Sequence, residues 1–206
     1  MPNVRPDGKI DVKTSKWFAF ELSEQTAPWA YHKGEPYRTI SALELLATTV
    51  GVAIFGTELR QFSDADGMVR VTGQTDSQVS ANVVARGMSS SFPLCCVAME
   101  LATRLEASRL QLDLDWVPRE LNQEADDLSN GIFDSFDPEL RVPVDLGMVR
   151  WQMLDRLMKE GAEYYEATAR AKKARQGDPH GATKNKKHVG RTTVPKAIFG
   201  PLFPCM

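Results

Sequence analysis

Cysteine is scarce in this chain: three in 206 residues, two of them adjacent at Cys95 and Cys96. Three cysteines so arranged build neither a disulfide framework nor a CxxC metal knuckle, and a reducing compartment is the natural expectation. Long apolar runs are missing too. No stretch approaches the roughly 18 uninterrupted apolar residues of a membrane helix, so no membrane partner is expected. Residues 1–16 hold no apolar leader segment, which places the expected location inside the cell, in cytoplasm or nucleus. The 14 glycines form no phosphate-cradling loop, and no internal repeat is present. What remains is an ordinary globular composition, 42% apolar and 25% charged.

A net charge of −2 conceals an asymmetry. From position 170 onward stand nine basic residues and one acid, Asp178, while the preceding body holds 16 basic and 26 acidic residues. The body therefore carries −10 and the tail +8. The tail is also rich in Gly, Pro, Thr and Asn, which bury too little apolar surface to offset the entropy of ordering. It reads as a disordered basic extension able to neutralise phosphates without reading sequence. A solvated charge run or a linker is the plainer alternative.

Along the chain, the aromatic segment 17–22 suits a strand. Residues 40–55 read as a strongly apolar helix, with Ser41 and Glu44 in capping-box spacing and Gly56 placed to end it. Positions 68–75 alternate as a strand, 78–84 suit a short helix closed at Gly87, and 94–107 a longer helix. Residues 110–117 alternate cleanly as the best strand in the chain. A short helix over 122–128 is stopped by Asn130 and Gly131, and 147–173 forms a final amphipathic helix. Strands alternating with helices make an α/β domain. The expected organisation is an extension over 1–16, a domain over 17–131, a linker and amphipathic helix over 132–173, and the basic tail over 174–206.

Three carboxylates stand where such elements begin or end: Glu44, Asp76 and Asp126. Carboxylates brought together repel, and a hard divalent cation is the usual relief. Each also has a mundane reading: Glu44 as the far member of a capping box, Asp76 as a helix cap, Asp126 with Asp127 as acids at a helix N-terminus.

The segments carrying these acids add a resemblance. Thr39 through Ala47 (Thr-Ile-Ser-Ala-Leu-Glu-Leu-Leu-Ala) resembles the glutamate-bearing helix of the ribonuclease H-like domain in retroelement reverse transcriptases. Thr75-Asp76-Ser77 resembles that domain's (T)D(N/S) strand end. Trp116 through Ser129 is similar to its closing hvPxxxNxxADxLS segment, especially in DIRS-like, tyrosine-recombinase retroelements. Ala85 through Ser90 resembles the small-residue junction between these motifs. The likeness runs from about Trp17 to Asn130, and it lies in the order and spacing of the motifs.

The resemblance implies a ribonuclease H-like mixed sheet flanked by helices, with a C-terminal helix and tail beyond it. It implies Mg²⁺- or Mn²⁺-dependent hydrolysis of the RNA strand of an RNA–DNA hybrid, with Glu44, Asp76 and Asp126 as catalytic metal ligands. Asp127 fills the variable position beside Asp126. Arg119 and Asn122, close in sequence to Asp126, are the candidate sugar or phosphate contacts, Asn122 being also a good N-cap. The reverse transcriptase domain of the same polyprotein is the implied protein partner. The family's fourth carboxylate lies in a first strand. Asp11 is the candidate here, but no glycine-rich hairpin follows it before Trp17, so the chain is expected to start after that strand. The alternative is a catalytically inactive retroelement-derived fragment that binds nucleic acid through its basic tail.

Overall fold

The computed structural model describes residue 11 and residues 13–31, 39–61 and 67–175. Residues 1–10 and 12 of the expected extension over 1–16, and 176–206 of the expected basic tail over 174–206, lie outside the described residues. Among the described residues, five helices and two strands follow one another as α1 (Ile40–Gln61), β1 (Val69–Thr75), α2 (Gln78–Arg86), α3 (Leu94–Ala107), β2 (Leu110–Trp116), α4 (Gln123–Ser129) and α5 (Leu154–Arg175). Single 3₁₀ turns form at Pro28–Tyr31, Arg119–Leu121 and Pro138–Leu140. The expected α/β class holds in its coarse form: a two-stranded parallel sheet flanked by helices.

β1 and β2 pair in register from Val69↔Leu110 to Thr75↔Trp116. Parallel strands need a crossover, and α2 with α3 supplies it. Val71, Leu110, Leu112 and Leu114 turn inward while Arg70, Thr72, Gln74 and Gln111 face solvent. The sheet is therefore half-buried, as its period-two pattern requires. The same core takes in α1, which packs on α3 and α2 and whose Leu43, Leu45, Leu46, Val50 and Phe55 are buried. Ile40–Leu59 is long and apolar enough to cross a membrane by length and composition, yet two thirds of that stretch is buried inside the fold, as in a core helix.

Three boundaries differ from the sequence expectation. α1 runs through Gly56 to Gln61. A Cβ at Gly56 would come within 3.1 Å of Ser108 Oγ and 3.5 Å of Leu110 Cδ1, so this glycine serves close packing against the start of β2. Ser41 lies inside α1, and Glu44 is the fifth helical residue, beyond the capping-box position. α5 begins at Leu154, not Gly147, because a buried carboxylate gathers its first amides. Glu100 Oε2 accepts from the N–H groups of Met153 at 2.7 Å and Leu154 at 2.9 Å, and Gln152 N–H reaches Oε1 at 3.1 Å. Arg104 Nε closes the arrangement at 2.7 Å from Glu100 Oε1.

Residues 17–22 form no regular strand. Trp17 makes one parallel bridge, to Arg141, with Val142 N–H donating to Trp17 O at 2.7 Å. The segment is threaded between two apolar clusters. Phe18, Phe20 and Leu22 enter the main core, while Trp17 and Ala19 join Leu128 and Phe136 in a smaller one. Burial on both sides explains its apolar composition; Trp17 and Phe20 each stand in an isolated bridge, so the segment pairs without building a regular ladder.

Candidate carboxylate site at the ends of the parallel strands

The carboxyl ends of parallel strands form a natural crevice, since the chain turns away from the sheet there. At this end β1 passes through Thr75 and Asp76 into α2. The turn is fixed by Ser77 N–H donating to Thr75 Oγ1 at 3.1 Å, and by Ser77 Oγ accepting from Ser80 N–H at 3.2 Å as the N-cap. From β2, Val117 N–H donates to Thr75 O at 2.9 Å, and the Trp116 indole N–H donates to Asp76 O at 3.2 Å. Both strand ends are thus tied together around Asp76.

Glu44 meets this turn from α1. Its carboxyl is half-buried and accepts from the Ser77 hydroxyl, and the exposed Asp76 lies close enough for its charge to be felt. Burial pushes the Glu44 carboxyl above the ordinary carboxylate range, the Ser77 hydrogen bond opposes that rise, and the Asp76 charge adds to it. Two of the three predicted carboxylates are therefore brought together, against their repulsion, by elements distant in sequence.

Asp126 sits in the middle of α4 with a different partner. Its Oδ1 forms an ion pair with the Arg119 guanidinium from the preceding 3₁₀ turn. Asp126 N–H donates to Asn122 O at 3.1 Å, so Asn122 starts α4 through its backbone, while its side chain makes no capping hydrogen bond. Among the described residues, no three His, Cys, Asp or Glu side chains gather closely enough to hold a metal ion together. Asp11 heads a local turn: its carboxylate accepts from Lys13 N–H at 3.2 Å and its carbonyl from Ser15 Oγ at 2.8 Å.

Beside Glu44 opens a cavity of about 630 Å³. Its apolar floor includes Ala42, Val83 and Phe92, and Ser41, Asn82, Arg86 and the serines at 89–91 supply polar groups. It is lined by the first turn of α1, one turn before Glu44, and by Val79, Asn82 and Arg86 of α2, the helix that follows the Asp76 turn. Cys95 and Cys96 are half-buried and buried, with thiols 3.9 Å apart. Burial and the neighbouring Cys95 push the Cys96 thiol up to about 12, which keeps it protonated and unreactive.

Sequence reasoning located Asp76 and Glu44 but not the groups that join them. The Ser77 hydroxyl was legible as an N-cap signal; its reach to Glu44 depends on how α1 packs on α2. Glu100 carries no local signal that separates it from surface glutamates. No family model matches the chain, and neither a curated protein nor a solved structure matches it significantly.

Proposed function

We propose that this chain is a ribonuclease H-like domain of a retroelement reverse transcriptase, hydrolysing the RNA strand of RNA–DNA hybrids with Mg²⁺ or Mn²⁺. The observation that carries the proposal is the meeting of Glu44 and Asp76 at the carboxyl ends of two parallel strands, with the Glu44 carboxyl driven upward by burial and by Asp76. Like charges held together by the fold are an unrelieved cost that a divalent cation removes. The donor set fits such an ion: hard oxygens, two carboxylates, and one partner exposed to solvent.

Glu44 and Asp76 would hold the ion, and when bound it supplies charge stabilisation to a scissile phosphate. Ser77 fixes the Glu44 carboxyl by donating its hydroxyl proton. Trp116 and Val117 fix the Asp76 turn from β2. Asp126 would join the donor set only on release of its ion pair with Arg119, which would free that exposed guanidinium for a phosphate or sugar oxygen of the substrate. Asn122, with its side chain unused in capping, stands one turn away for the same task. The neighbouring cavity with Arg86 and its hydroxyls offers the nucleic acid a polar groove.

One observation favours a second reading, an inactive remnant that binds nucleic acid through its basic tail: the ion pair that occupies Asp126. Mn²⁺ titration followed by the carboxyl ¹³C signals of Glu44, Asp76 and Asp126 separates the two. The enzyme reading expects all three to respond, with tighter Mn²⁺ binding in Arg119→Ala. Signals unmoved at millimolar Mn²⁺ in both proteins would refute it.

A further inference from the structure

A second cavity, of about 390 Å³, lies between the 3₁₀ turn Pro28–Tyr31, α1 and the first turns of α5. Trp29, Trp151 and Phe92 give it aromatic walls, and Leu154 and Met158 line it from α5. Asp155 and Lys159 are exposed beside it. The volume falls within the roughly 300–1,000 Å³ of small-ligand pockets. That suits a few side chains of an extended segment.

We infer that this groove takes the chain's own C-terminal apolar segment, residues 198–203. The sequence after α5 changes character near its end. Nine basic residues fall between positions 170 and 196, and then positions 197–206 carry no charged side chain. This stretch instead holds Ile198, Phe199, Leu202 and Phe203, with Pro201 and Pro204 among them. Proline-containing apolar segments are stiff and extended, and aromatic-walled grooves are what recognises them, because little entropy is lost on docking.

The chain length permits the return. α5 lines the groove as far as Ala162 and ends at Arg175, which places its end about 20 Å further along the helix axis. The 23 residues from Arg175 to Ile198 span up to about 75 Å when extended. Charge does not oppose it: Lys196 stands two positions before the apolar segment, and Asp155 and Lys159, of opposite sign, are both exposed beside the groove. Docking also bears on the candidate site. Phe92 lines this groove and the 630 Å³ cavity beside Glu44, so a docked segment supports the wall between them.

The test uses the full chain labelled with 5-fluorotryptophan, whose four tryptophans are Trp17, Trp29, Trp116 and Trp151. Replacing Phe199, Leu202 and Phe203 together by aspartate is expected to shift the ¹⁹F signals of Trp29 and Trp151 and leave those of Trp17 and Trp116 in place. A synthetic peptide of residues 195–206, added to that variant, is expected to return both signals saturably. Four unchanged signals would overturn the inference. So would shifts that grow with protein concentration alongside a dimer mass by light scattering, since a second copy would then fill the groove.

Discussion

Replacing Glu100 by glutamine removes one charge from the interior and nothing else of comparable size. The wild-type carboxylate is fully buried in α3. It faces donors only: the amides at 152, 153 and 154 and the Arg104 guanidinium, at 2.7–3.2 Å. A glutamine at this position turns its own NH₂ toward one set of those donors. It also leaves Arg104, which is largely buried, without its counter-charge. Arg104 meanwhile donates to Arg150 O at 2.7 Å and lies 5.3 Å from the Trp151 ring centroid, so its displacement loosens the approach to α5.

Breaking a buried pair from one side costs about 3–5 kcal/mol. For a chain of this length that is a fall of about 10 °C in Tm. Urea unfolding of wild type and Glu100→Gln measures the loss, and hydrogen exchange at Met153 and Leu154 localises it, with faster exchange expected there first. A loss below about 1 kcal/mol, the range of a solvent-exposed pair, would refute the reasoning.

Trp17→Ala removes a buried indole that packs on Phe133 and Phe136 at 5.2 and 5.4 Å and donates to Asp137 O at 2.7 Å; a loss of about 3–5 kcal/mol is expected by chemical denaturation. Gly161→Ala places a Cβ 2.6 Å from Phe92 Cε2, and the overpacking, about 1–3 kcal/mol, is expected to outweigh the roughly 1 kcal/mol of helix propensity gained, so calorimetry shows a lower Tm. Glu44, with its carboxyl raised mainly by burial, binds a proton more tightly in the folded state; its contribution to stability is present below the ordinary carboxylate range and lost as pH rises through the raised value. Asp76→Asn is expected to lower the Glu44 titration midpoint in carboxyl ¹³C spectra without returning it fully, because burial remains.

The elements fixed by local pattern were legible. β1 and β2 follow from period-two alternation, α2 from the Ser77 cap, and α3 keeps the expected limits of Leu94 and Ala107. What escaped depends on contacts between distant residues. Gly56 reads locally as a helix stop, and only the approach of Ser108 shows why it lies inside α1. The start of α5 depends on Glu100, more than fifty positions earlier. Trp17 to Leu22 have strand composition because both sides are buried, which alternation of hydrophobicity does not reveal. The site follows the same division. Glu44 and Asp76 stood out by their places at element ends, whereas the Ser77 link and the Arg119–Asp126 pair are tertiary facts.

Cleavage of a labelled RNA–DNA hybrid in the presence of Mg²⁺ or Mn²⁺, with Asp76→Asn beside the wild type, tests the central proposal most directly. The account predicts cutting of the RNA strand that needs the metal and disappears in the variant. A folded wild-type chain that leaves the hybrid intact with either ion would contradict it.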